Sequence, residues 1–335
     1  MVYASPSGSE GTSCSQTEPC SITRAFSVAN AARQVVKLAA GVYPANLVVT
    51  KRLLVHGFGA TLTAGQGHTL VVQDTARLRI LGLTIVNSSE GPTPNNVGIF
   101  CLSSTGTETP MIELEDVVVD GRRQPFHMNQ CTAKVVRSSF LSLATSDSYT
   151  FVAGDGATVS FDRVLFQGGG GVFGLGSSTV QITNSIIDRQ SGPDGAIGAG
   201  YGSFMKLSFS TVIDSVLNCG TTVASCTGAT LAGLCVDNSL IANSANGAPA
   251  NTVTGTNCEF NYSLIFPQVT TVPGANNKLG MQPRLKDPGN GNYRLLVDSP
   301  AVDAADPATT GTTDFDGTSR PQNGRSDLGA FELVP

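Results

Sequence analysis

The chain has 335 residues, of which 40% are apolar and only 13% charged, about half the roughly 25% charged content of ordinary soluble domains. A formal net charge of −5 argues against a nucleic-acid partner, and no apolar run approaches the roughly 20 residues of a membrane-spanning helix. There is no Trp and only 6% of residues are aromatic, which counts against a sugar groove paved with flat rings.

The chain opens on Met1-Val2-Tyr3-Ala4-Ser5-Pro6, already polar, and is read as a mature domain from which an export signal has been removed. Cys14 and Cys20 sit close together in a polar loop and are expected to pair. Residues 21–32 (SITRAFSVANAA) form the one convincing helical stretch. Ser21 suits an N-cap, and Ile22, Phe26 and Ala29 recur at helical spacing. This helix is expected to act as a lid on the open N-terminal end of the strands after it. Strands begin irregularly near 35–38 and 47–49, and His56 and His68 in this region are read as surface residues.

From residue 77 the chain repeats itself. A pattern x-φ-x-φ-x-x-φ/S-x-φ, with φ apolar, occurs at 77–85 (RLRILGLTI), 111–119 (MIELEDVVV), 132–140 (TAKVVRSSF) and 158–166 (TVSFDRVLF). It recurs at 179–187 (TVQITNSII), 204–212 (FMKLSFSTV), 233–241 (GLCVDNSLI) and 257–265 (NCEFNYSLI). The eight units lie roughly 20–35 residues apart. One column reads Ile80, Leu114, Val135, Phe161, Ile182, Leu207, Val236, Phe260. Another reads Ile85, Val119, Phe140, Phe166, Ile187, Val212, Ile241, Ile265. Between them Ser138, Ser185, Ser210, Ser239 and Ser263 share a position and are expected to pair their hydroxyls along the stack.

Period-2 alternation means strands with one face inward. The two-residue break makes each unit two short strands meeting at a bend, where Asn184 and Asn238 suit a left-handed backbone. Gly-rich alternating stretches such as 171–176 (GVFGLG) supply a third strand. The expected fold is all-β: a right-handed parallel β-helix with three strands per coil. Boundaries fall at 1–34 for the N-terminal loop and capping helix, 35–270 for the coils and 271–335 for an irregular C-terminal cap, in a single domain.

Eight cysteines without a CxxC pair or a His/Cys cluster point to an oxidised, secreted or cell-surface setting; buried free thiols are the alternative. Cys101 and Cys131 are expected to bridge neighbouring coils, while the pairing of Cys219, Cys226, Cys235 and Cys258 stays open.

Residues 2–8 (VYASPSG) and 19–25 (PCSITRA), with Gly41-Val42-Tyr43, resemble the opening of secreted pectate-lyase-like right-handed β-helix proteins. The ending is also similar to a known pattern. Tyr293-Arg294-Leu295, 298–303 (DSPAVD), Asp314-Phe315-Asp316-Gly317, Arg320-Pro321 and 327–332 (DLGAFE) resemble the closing segment of bacterial surface β-helix proteins of the "choice-of-anchor Q" type. The resemblance implies the fold and leaves the activity open.

A lyase on a uronate-containing glycan needs a cation at the substrate carboxylate, a base for the C5 proton and an acid for the leaving oxygen. The densest suitable cluster is 120–134. Within it His127 or Lys134 is the candidate base, and Arg122 or Arg123 the carboxylate partner, with Tyr149 one coil later. Asp120, Asn129 and Asp155 are candidate substrate-binding residues. An ordinary solvated turn would carry the same charges. Glu113, Glu115 and Asp162, with Asp237, occupy outward strand positions where a glycoside hydrolase would place its carboxylate pair or where Ca²⁺ would find oxygens; outward positions must be polar in any case. Asp314, Asp316, Asp327 and Glu332, with Arg320, read as a structural cluster.

The sequence therefore points to a monomeric protein acting on an extended acidic polysaccharide, a lyase first and a glycoside hydrolase second. The one cofactor the sequence suggests is calcium. A non-catalytic adhesin or binding module is the competing reading. An ice-binding surface is disfavoured, because the stacked Thr132, Thr158 and Thr179 give way to Phe204, Gly233 and Asn257.

Overall fold

The apolar columns of the sequence become the spine of a solenoid in the computed structural model of the chain. The structure describes residues 1–89, 96–104, 108–143, 149–191, 197–220, 224–227, 231–244, 253–267, 270–309, 311 and 313–335. The solenoid is a right-handed parallel β-helix, the hand that parallel crossovers adopt almost without exception. Its strands form a 21-stranded sheet, bent along its length into two faces, and a separate 9-stranded sheet. We call the two faces the first and second sheets, and the 9-stranded one the third. One coil illustrates the order: Thr132–Val136 in the first sheet, Ser139–Leu141 in the second, Phe151–Gly154 in the third.

The register follows the columns read from the sequence. In the first sheet Ile80 pairs with Leu114, Leu114 with Val135, and so on through Phe161, Ile182, Leu207 and Val236 to Phe260. In the second, Ile85 leads through Val119, Phe140, Phe166, Ile187, Val212 and Ile241 to Ile265. These side chains are buried, and each contributes roughly 1.5–3 kcal/mol against exposure. Midway along, Phe126, Phe140, Phe151, Phe161 and Phe166 pack ring against ring at centroid distances of 4.9–6.5 Å.

The bend is more regular in backbone than in sequence. Asn184 and Asn238 do take positive φ, and so do Gly82, Asp116, Arg137, Arg163, Phe209 and Tyr262 at the same position of the other units. The serine column behaves differently from expectation. The hydroxyls do not chain to one another. Each accepts a backbone N–H from the preceding coil: Val117 N to Ser138 Oγ at 3.1 Å, Val164 N to Ser185 Oγ at 3.0 Å and Ser210 N to Ser239 Oγ at 3.1 Å. Each then donates to the carbonyl two residues back, as Ser185 Oγ does to Thr183 O at 2.7 Å. The left-handed bend interrupts the ladder and leaves a buried N–H, and the serine supplies the acceptor it lacks. The row ends where Asn277 Oδ1 takes the N–H of Ser263 at 2.9 Å.

The helix spans Ile22–Val28 only, shorter than expected. Ser21 caps it through Arg24 N, and Ile22, Ala25 and Phe26 are buried. It stops because Asn30 Oδ1 accepts the N–H groups of Ala32 and Arg33, at 3.0 and 3.2 Å, and so forms a turn instead.

The C-terminal segment folds back along the outside of the second sheet. Its Tyr293, Leu295, Ala301, Leu328, Ala330 and Phe331 form a second core with the outward-facing Ile186, Ile213, Leu240 and Leu264. Ala330 N donates to Thr211 Oγ1 at 2.8 Å and Gly329 N to Asn238 O at 2.9 Å. Inside the segment Arg320, fully buried, bridges Glu332 at 3.0 Å and donates to the carbonyls of Asp327 and Gly329. The expected pairs Cys14–Cys20 and Cys101–Cys131 are bonded, and the remaining four cysteines pair as Cys219–Cys258 and Cys226–Cys235.

Candidate functional site

The outer face of the first sheet carries a charged strip whose members recur from coil to coil. Outward positions place Arg52 beside Arg77, and Arg79 beside Glu113, which adjoins Lys134. A groove of about 560 Å³ is lined by Arg52, Arg77, Arg79, Met111 and Glu113 among others. It adjoins a second hollow of about 330 Å³ lined by Arg79, Glu113, Glu115, Lys134, Asp162 and Arg163. The two share Arg79 and Glu113, so they form one continuous path along the solenoid.

Inside that path the carboxylates are already engaged. Glu115 accepts from Arg137 Nη2 at 2.6 Å and Arg79 Nη2 at 3.1 Å, and these two guanidiniums hold its carboxyl below the usual range. Asp162 accepts from Arg163 Nε at 3.0 Å and Asn184 Nδ2 at 2.9 Å. Arg79 Nε lies 3.7 Å from Glu113. Arg52, Arg77 and Lys134 have no carboxylate partner among the described residues. Both oxygens of Glu115 meet guanidinium groups, Asp162 gives one oxygen to a guanidinium and one to an amide, and Glu113 has one within 3.7 Å of Arg79, which leaves few oxygens free for a calcium ion. Among the described residues no three His, Cys, Asp or Glu side chains are grouped to hold a metal.

The structure distributes the other candidates over the remaining faces. His127 and Asn129 point outward from the third-sheet strand Phe126–Asn129. Tyr149 leads into the next strand of that sheet and Asp155 follows it in a left-handed turn. Arg122 and Arg123 lie in the corner between the second and third sheets, and Asp120 faces out from the second. Lys134 alone joins the three acidic candidates on the first sheet.

His127 is tied at both nitrogens. Gln124 Nε2 donates to Nδ1 at 3.1 Å, which leaves the proton on Nε2 to face Asn129 Oδ1 at 3.3 Å. Burial first, and His68 after it, press its pKa below the ordinary value, against the raising effects of Asn129 and Asp155. It meets Phe100 edge-on with centroids 5.2 Å apart, and Phe100 in turn stacks on His68 at 4.6 Å. His56 is half-buried.

Sequence reasoning passed over Arg52, Arg77, Arg79 and Arg163. The signal was present: in 77–85 the residues on either side of Leu78 are outward by the same alternation that turns Leu78 and Ile80 inward. Carrying the column register across units would have set Arg79 beside Glu113 and Lys134.

No protein-family model matches the chain, and no curated protein matches it. Among solved structures, a pectate lyase, Pel9A, superposes with a TM-score of 0.64 at 13% identity, covering 99% of this chain and 96% of that one. A pectin methylesterase in complex with a hexasaccharide aligns at a TM-score of 0.39 and 12% identity, covering 88% of this chain and 96% of that one. The pectin methylesterase PemA from Erwinia chrysanthemi aligns at 0.39 and 13%, covering 88% and 95%. These last two alignments carry no argument. The first is a likeness of fold: the chain is a pectate-lyase-like parallel β-helix.

Proposed function

We propose that the protein binds an extended polyuronate along the first sheet and cleaves it by β-elimination. The observation that carries this reading is the continuous groove, in which five cationic side chains (Arg52, Arg77, Arg79, Lys134 and Arg163) meet three carboxylates. A local positive excess on a chain of net charge −5 is what a polyanion selects. Arg52 and Arg77 stack one coil apart, about 4.8 Å, with Arg79 beside Arg77 on the same strand, and the three are set to meet the carboxylates of neighbouring uronates. Lys134 takes the C5 proton, the C4–O4 bond breaks as the 4,5-double bond forms, and the departing O4 takes its proton from water. Of the two candidate bases it is favoured because the lone pair of His127 Nδ1 already receives the Gln124 amide.

The test is incubation with polygalacturonate, alginate and other uronate polymers, with and without a chelator, following the absorbance of the 4,5-unsaturated product. The expected result is product formation that survives chelation, since guanidinium groups rather than calcium neutralise the substrate. No unsaturated product and no new reducing ends on any polymer would overturn the reading. Binding without turnover would instead support a non-catalytic glycan-binding module. Four disulfides and a pectate-lyase-like neighbour are consistent with an extracellular protein. We place it outside the cell as a monomer, with the C-terminal segment resembling the choice-of-anchor Q type as the pointer to a surface.

A further inference from the structure

The third sheet carries a groove of a different character. It has a volume of about 780 Å³, within the range of small-molecule sites. Its floor is the strand Ile197–Ala199 with Gly200. Coils before it fill the same outward column with large side chains: Phe100, His127, Val152 and Phe173 in register. At Gly198 that column falls away. A Cβ there would come within 3.1 Å of the Phe173 ring and 3.4 Å of Asn218 O. The missing side chain thus opens a step against an aromatic wall, where Tyr149 meets Phe173 edge-on at 5.3 Å between centroids.

Tyr201 stands at the end of this step and is 83% exposed. Its φ is +53°, at the corner where other coils place Gln130 and Asp155. A bulky residue in the left-handed region is uncommon and strained. That corner leaves the phenol ring standing off the sheet, where no packing repays the cost. An exposed ring beside a glycine floor and an aromatic wall offers apolar faces to a ring-shaped ligand. Among the described residues, the groove's lining contains no charged side chain. A polyanion gains nothing there, in contrast to the first sheet, so charge selects a neutral ligand. Tyr149 lies just before its strand and Tyr201 just after its own two coils on, so the two rings stand at opposite ends of the groove and a linear chain lying across it meets both.

We propose that this groove is a second carbohydrate site, which binds a neutral polysaccharide by stacking sugar rings on Tyr201 and Tyr149 above the floor at Gly198. It serves attachment rather than cleavage and is independent of the reading given for the first sheet.

The experiment is affinity electrophoresis of the whole protein through gels containing galactan, xylan, hydroxyethyl cellulose or polygalacturonate. The wild type is expected to be retarded by at least one neutral polymer. Tyr201→Ala and Gly198→Leu should each remove most of that retardation, while Lys134→Ala leaves it unchanged. Matching thermal transitions for the variants and wild type exclude unfolding as the cause. Tyr201→Phe keeps the ring and should retain the retardation. No retardation by any neutral polymer would overturn the proposal. So would retardation that Tyr201→Ala leaves intact, or that appears with polygalacturonate alone. Loss of turnover on uronates with neutral retardation preserved would count only against the first-sheet reading.

Discussion

At the scale of the residue, the separation between Lys134 and His127 is the most instructive result. Both fall in one dense stretch of sequence, yet they project from different sheets. A coil passes through three faces before it returns, so neighbours in sequence part company. Residues a coil apart, such as Arg79, Glu113 and Lys134, come together. The site was therefore legible column by column and hidden stretch by stretch. Lys134→Ala is expected to lower turnover on polygalacturonate by roughly 10²–10⁴-fold, the usual contribution of a positioned base, whereas His127→Gln should leave turnover nearly intact. Initial rates of unsaturated product for the two variants decide between them. The serines give a second test. Removing the Ser210 hydroxyl leaves Ser185 N without its acceptor at 3.3 Å. Ser210→Ala should cost about 1–3 kcal/mol, read from denaturant midpoints at constant slope.

At the scale of the element, the strands and their bend were legible because burial writes itself into period-2 columns. Left-handed corners occupied by Arg137, Phe209 or Tyr262 were not, since no side-chain preference announces them; the geometry of the coil imposes them. The path of the C-terminal segment was also hidden. Its apolar residues follow no repeat, and their partners are the outward residues of the second sheet. The polar centre of this segment has a pH signature. Asp327 is buried, and desolvation, partly offset by N–H groups of Asp303 and Leu333, lifts its pKa from 3.8 to about 6. The folded state thus binds this proton more tightly than the unfolded chain. Its contribution to stability is fully present below pH 3.8 and is lost as pH rises through about 6. Urea titrations across that window should show the decline, and Asp327→Asn should flatten it.

At the scale of the whole molecule, the solenoid is an array in which each coil touches its neighbours, so stability accumulates coil by coil. The disulfides set limits on how far it frays. Cys219–Cys258 joins positions 39 residues apart, a closure expected to contribute about 4 kcal/mol in the chain-entropy account. The Cys219→Ala/Cys258→Ala double variant should lose a large part of that, with coils beyond residue 217 exchanging their amide hydrogens sooner than those near Phe140. Hydrogen exchange resolved by segment would show whether the loss is local to that end.

The returning C-terminal segment alters this one-dimensional picture. A pure stack has no memory beyond the adjacent coil. By laying Tyr293, Leu328 and Phe331 across Ile186, Ile213, Leu240 and Leu264, the segment wires several coils into one cooperative block. It also imposes an order of events. The coils must exist before their cover can dock. Until it does, a stripe of aliphatic side chains faces water, and that interval is when a newly made chain is most prone to stick to another copy of itself.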